Sequence, residues 1–228
     1  MYAAAVGSKN YTFEVSGSLW QDALVMMDME TRSLWSQITG EGIRGENEGK
    51  KLTQFPAQHS TYAAFKENYP EGLLLSKEEK GSHGSNYEGY FNDPTKLGIF
   101  GRQDRFFRLN AKDMVLGVRH DENETAVSVS YLEDRGYALL DKMSPPIVVT
   151  YDKASNTSAA FELPELGLKD YGKINIDETA IKLGENRAWS IRTGKSVAKG
   201  GSDLKPVAVI TSYWFAWATF FPDTELVN

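Results

Sequence analysis

The sequence contains no cysteine. Disulfides, thiol nucleophiles and thiolate metal sites are excluded together. Its three histidines, His59, His83 and His120, lie 24 and 37 residues apart and show no metal-binding spacing. No metal site is read and no cofactor is required. No apolar run approaches the ~20 residues that span a bilayer, and no charged-then-apolar start marks a signal peptide. The net charge is −6 and the Lys and Arg residues are scattered rather than striped, which argues against a nucleic-acid partner. What is present is 228 residues of ordinary apolar content, long enough to bury a large core as one big domain or two intimate ones.

The chain also repeats itself. "WSQITG" at 35–40 returns as "WSIRTG" at 189–194, and "LTQFPAQHSTYAAFKENYP" from Leu52 aligns without a gap with "LKPVAVITSYWFAWATFFP" from Leu204. Upstream, "MMDMET" at 26–31 is similar to "NIDET" at 175–179, and "AAAV" at 3–6 to "SAAF" at 158–161. Such self-similarity predicts two pseudo-symmetric halves: a first half at 1–76, a long connection at 77–113 and a second half at 114–228. The second half opens with "MVLGV", "TAVSVSY" and "PIVVTYD", three runs with strand character. The first has no counterpart to them, as expected of a shortened homologue or a piece of something longer. Its edge at residues 2–6 is expected to borrow strands from 114–151 in a monomer, with an edge-strand dimer or, in a longer natural form, residues before Met1 as the alternatives.

The fold class is mainly β with a few short helices. Strands are expected at 2–6, 11–15, 23–28, 51–55, 72–76, 114–118, 125–131, 147–151, 158–163, 173–177, 187–192 and 205–210. Two helices are expected, at 61–69, with Ser60 or Thr61 as N-cap and Pro70 as stop, and at its counterpart 213–221. The second is apolar on nearly all sides and should be the more buried.

The stretch "TFEVSGSLWQDALVMMDMETRSLWSQITGEGIRG", the "VLGV" and "PIVVTYD" strands and the closing "YWFAWATFFPDTEL" resemble the bacterial and archaeal family catalogued as domain of unknown function 3179. The resemblance covers essentially the whole chain. It implies a "TYC-x-x-C" segment ahead of "AAAV", which this chain does not contain, and in many members an export or lipoprotein signal, so an extracytoplasmic location. In the second half "TYDKAS" puts Asp152 and Ser155 where the paired cysteines would stand. The resemblance implies architecture and no activity.

The remaining chemistry is sparse. "GKS" at 194–196 lacks the upstream glycine of a phosphate loop, and no serine sits in a G-x-S-x-G elbow. Asn10, Asn123 and Asn156 begin short sequons of the kind that arise by chance. Asp28 with Glu30, and Asp177 with Glu178, could pair as general acid and base, but Asp followed by Thr suits a turn better. Trp35 and Trp189, kept in both halves, are packing residues. Features without an internal counterpart point to the connection and its neighbour: His59, whose partner is Thr211, and His83, Asn86, Tyr87, Tyr90, Asp104 and Arg105. The expected function is a non-catalytic ligand-binding or interaction domain for a small molecule or protein, in a cleft roofed by the connection. A hydrolytic or metal-assisted enzyme with a site near 77–113 is the alternative.

Overall fold

The computed structural model describes residues 1–76, 87–98, 108–120, 123–164 and 174–228. Its architecture is mainly β, with short helices packed on several small sheets. The N-terminal region opens with β1 (Ala5–Val6) and β2 (Lys9–Asn10), paired around Gly7, whose φ is 59°. An antiparallel meander follows: β3 (Phe13–Trp20), β4 (Ala23–Asp28), β5 (Leu34–Ser36) and β6 (Gly42–Arg44). Helix α1 (Tyr62–Asn68) comes next, then α2 (Glu88–Phe91).

The next two strands, β7 (Met114–His120) and β8 (Asn123–Ser128), are largely buried. Side chains alternate across a strand, so the two faces of this hairpin serve different cores. Leu116, Val118 and Val127 face a cluster with Leu132, Ile147, Val149 and Ala160. Val115 and Ala126 face Trp214, Trp217 and Phe221. Helix α3 (Val129–Arg135), β9 (Tyr137–Leu140), β10 (Ile147–Asp152) and β11 (Thr157–Glu162) follow, then a second meander of β12 (Ile174–Ile176), β13 (Ala180–Leu183) and β14 (Arg187–Ser190). The chain ends with β15 (Lys205–Pro206), β16 (Val209–Tyr213), α4 (Trp214–Phe220) and β17 (Glu225–Val227). One sheet has the order β15-β11-β10-β9 and another β16-β7-β8-β17. In the latter β17 runs parallel to β8 and the other pairs are antiparallel.

Local chemistry explains the helices. The Thr61 side chain accepts the Ala64 amide at the start of α1, satisfying a donor that would otherwise be orphaned. Helix α4 has no side-chain cap but buries Trp214, Phe215, Trp217 and Ala218, against Ala64 alone for α1. Glycine is required where α4 crosses β7: a Cβ on Gly117 would lie 1.9 Å from the Trp217 ring. Residues 129–131, expected as strand, form the start of α3. Ser128 caps its first turn, accepting the Tyr131 amide, and Gly136 closes it at φ 78°. Residues 72–76, also expected as strand, carry no strand assignment, and 51–55 make only isolated bridges at Lys51 and Gln54.

The two "WS-x-x-TG" turns are built alike. Ser36 Oγ accepts the Thr39 amide and Ser190 Oγ the Thr193 amide; Gly40 N donates to Ser36 O as Gly194 N does to Ser190 O. Both glycines have positive φ, 70° and 67°. Leu52 N donates to Gly40 O and Leu204 N to Gly194 O. Phe55 N reaches Met1 O as Val207 N reaches Ala160 O, and Tyr2 bridges Gln54 as Phe161 pairs with Pro206. These bonds place Tyr2 opposite Phe161, a different register from "AAAV" on "SAAF". They also separate Asp28, in the β4–β5 turn, from Asp177, in the β12–β13 turn. Among the described residues the N-terminal strand pairs with β2 and with the region of Gln54. No backbone pairing to 114–151 is present there, so the borrowed edge is not how this strand is completed.

Candidate functional site

Both turns are clasped from the far end of the chain. Gln58 Nε2 donates to Arg192 O at 2.7 Å, and an Arg119 guanidinium N–H donates to Thr39 O at 3.4 Å. The Tyr2 hydroxyl donates to Ile38 O at 2.8 Å. Burial pushes that hydroxyl up to about 12, against a smaller pull from Arg119, so Tyr2 is a neutral donor and no proton-transfer group at ordinary pH. Segments 57–60 and 209–211 lie beside two crevices, and Ala57 and Val209 line both.

The larger of these crevices holds about 610 Å³ and contains His59. Residues from the first 59 positions form one wall and Val209, Ile210 and Thr211 another. Tyr2, Phe13, Met26 and Ile38 supply apolar surface, and Gln37, Gln54, His59 and Thr211 supply polar groups. The smaller, about 340 Å³, is lined by Phe65 and Tyr69 of the α1 region and by Phe161 and Thr193. A mixed lining with a few convergent polar groups is the usual character of a small-molecule site.

His59 and Thr211, singled out in the sequence as an unequal pair, therefore stand in one crevice. Tyr87 and Tyr90 do not join them. They belong to the α2 region, where the Lys112 ammonium lies 3.8 Å from the Tyr90 ring centre and donates to Asp93 O at 2.6 Å. Nearby, Leu97 and Ala111 pack on Phe215 of α4. No described residue of 77–113 lines the crevice that holds His59. His83, Asn86, Asp104 and Arg105 lie outside the described residues.

The aspartate of each acidic pair is engaged in a turn. Asp28 is fully buried and accepts from Thr31 N at 2.6 Å, Thr31 Oγ1 at 2.7 Å, Trp35 Nε1 at 2.8 Å and Asn47 Nδ2 at 3.1 Å. Burial works against its ionisation, but these bonds outweigh it and hold the carboxyl below its ordinary range. Asp177 accepts from Lys182 Nζ, Thr179 N and Oγ1, and Ala180 N, which lowers it further. Asp152 accepts from Ser155 Oγ and, at 2.6 Å, from Arg192 Nε. Its carboxyl is likewise low, because these bonds and the Arg192 charge overcome burial. A charged crevice of about 680 Å³ contains Asp152, Asp177 and Arg192, but these groups are already partnered by protein. Among the described residues no group of three or more His, Asp or Glu side chains could hold a metal ion.

A family model described as a protein of unknown function, DUF3179, matches residues 1–224. The chain belongs to the DUF3179 family. Neither the curated proteins nor the solved structures contain a match to it. In this DUF3179 member Asp152 and Ser155 form a hydrogen-bonded pair tied to Arg192. No helix among the described residues is long and apolar enough to cross a membrane. Sequence reasoning missed Arg119, because nothing local marks a side chain whose partner is 80 residues away.

Proposed function

We propose that this DUF3179 protein is a non-catalytic ligand-binding domain whose two halves, 1–76 and 114–228, form the walls of the His59 crevice. The carrying observation is that crevice itself: about 610 Å³, walled by residues distant in sequence, with His59, Gln54 and Thr211 set into an apolar lining. Such a lining suits a small molecule with an apolar body and one hydrogen-bonding end. Asp28, Asp152 and Asp177 are each held by several protein donors, among them turn amides, Trp35, Ser155 and Arg192, which favours binding over hydrolysis. The chain acts as a monomer in this reading, with the connection 77–113 joining the walls.

Ligand-observed NMR with a panel of small aromatic and aliphatic carboxylic acids and amides tests the proposal. Hits should vanish with Ala57→Trp, which fills the crevice, and weaken at least several-fold with His59→Ala. Hits indifferent to both changes would refute it. Turnover of chromogenic esters or phosphates, or a divalent-metal thermal shift abolished by His83→Ala, would instead support the hydrolytic or metal-assisted alternative.

A further inference from the structure

The charged crevice of about 680 Å³ lies wholly within the second half, lined by residues between Leu132 and Arg192. One wall is the end of α3 with the start of β9, a second is the tip between β10 and β11, and a third is the turn between β12 and β13. It opens at Asp152 on β10 and at Ile176 on β12. The chain leaves β11 at Glu162, opposite Ile147, and enters β12 at Ile174, opposite Leu183. Both are the strand ends away from the crevice.

Some of its charges are spent. Asp152 is held by Arg192 and Ser155, and Asp177 by Lys182 and the amides of its own turn. Arg192 is divided between Asp152 and Glu67. Five others that line the crevice are not spent. Glu133, Asp134 and Glu178, and with them Arg135 and Lys153, enter no ion pair among the described residues. The nearest to an exception is Glu133, which accepts a long bond of 3.5 Å from the Tyr151 hydroxyl. Three acids against two bases leave one negative charge in excess. Between these groups Tyr137, Tyr151 and Ile176, each half-buried, supply apolar surface.

A lone surface charge calls for no partner, and one exposed ion pair gains little. Charges of both signs around one concavity with an apolar floor differ, because a single ligand can meet several of them at once. The pattern also selects the ligand. A simple anion meets three carboxylates, and a simple diamine leaves both bases unmatched. A molecule with one anionic and two cationic groups on an aliphatic stem matches both signs, and its stem can lie along the tyrosine rings while its ends stay in water.

We infer that this crevice is a second binding site, for a free basic amino acid of the lysine, ornithine or arginine type. The ligand carboxylate faces Lys153 and Arg135, and its two cationic groups face Glu133, Asp134 and Glu178. No residue lines both this crevice and the one that holds His59, so the two sites stand or fall separately.

Titration of L-lysine into the whole protein at low ionic strength, followed by protein amide chemical shifts, should saturate with a Kd on the order of 1 mM or tighter. Lysine amide and Nε-acetyl-lysine should each bind roughly two- to five-fold more weakly, the worth of one exposed ion pair, and glutamate should not compete. Lys153→Gln should erase the preference for lysine over lysine amide, and Glu178→Gln should weaken lysine binding by a similar factor. Both side chains are exposed, so both variants should keep the wild-type circular dichroism spectrum. No saturation by about 20 mM lysine, or binding indifferent to both substitutions, would overturn the proposal. Lysine binding that disappears with Ala57→Trp would also overturn it, by moving the ligand to the His59 crevice, and would leave the reading of that crevice standing.

Discussion

Removing the carboxylate of Asp28 is the sharpest test of the N-terminal core. Asp28→Ala takes away an acceptor that serves Thr31 N, Thr31 Oγ1, Trp35 Nε1 and Asn47 Nδ2. Two of these donors have another recourse. Asn47 Nδ2 keeps its bond to Thr31 Oγ1 at 3.0 Å, and the Thr31 hydroxyl keeps Ser33 Oγ at 2.6 Å. The Trp35 indole N–H and the Thr31 amide have none among the described bonds, and Trp35 is wholly buried. At ~1–3 kcal/mol for each of these two donors left unsatisfied, the loss should be roughly 2–6 kcal/mol, a large part of a typical domain's ~5–15 kcal/mol. The effect should depend on pH. The folded carboxyl lies below its ordinary range, so its contribution is fully present above the unfolded value of roughly 3.9 and is lost as pH falls through the folded value. Urea unfolding followed by tryptophan fluorescence, at about pH 7 and about pH 3, should show the gap between wild type and Asp28→Asn narrowing in acid. A loss below about 1 kcal/mol for Asp28→Ala at pH 7, or a gap that does not move with pH, would refute the reasoning.

Further substitutions follow from packing and capping. Trp217→Ala should cost roughly 3–5 kcal/mol and Gly117→Val more than about 1 kcal/mol, because the added atoms would occupy the indole's place. In the double variant the two losses should fall short of their sum, as chemical denaturation of all three proteins would show. Thr61→Ala should cost about 1 kcal/mol through loss of the α1 cap, while Thr61→Ser should restore most of it on the same measure.

Much of the fold was legible where the signal is local. Thr61 and Pro70 bounded α1 closely, since caps and proline act within one turn, and the alignment with α1 together with Pro222 bounded α4. The β-branched run at 125–131 misled because Ser128 caps α3 in its midst, and a capping hydroxyl outweighs the strand preference of Val129. Strands β5 and β6 carry three residues each, too few for alternation to register. Of the candidate site, His59 was reachable because its repeat partner is a threonine. The clasp made by Gln58 and Arg119 was not, because its partners lie 134 and 80 residues away. Likewise the Asp152–Arg192 pair spans 40 residues, a separation at which no spacing rule operates.

The placing of β16 and β17 on the two edges of the β7–β8 hairpin bears on how the chain is made. Both edges are closed by residues from Val209 onward, so during synthesis the hairpin emerges long before its covers. Until residues 209–227 leave the ribosome, two unpaired strand edges and the glycine-floored slot for Trp217 remain open to neighbours. Residues 209–227 thus act as a closing latch, and a nascent chain stalled short of them is the form most in need of a chaperone.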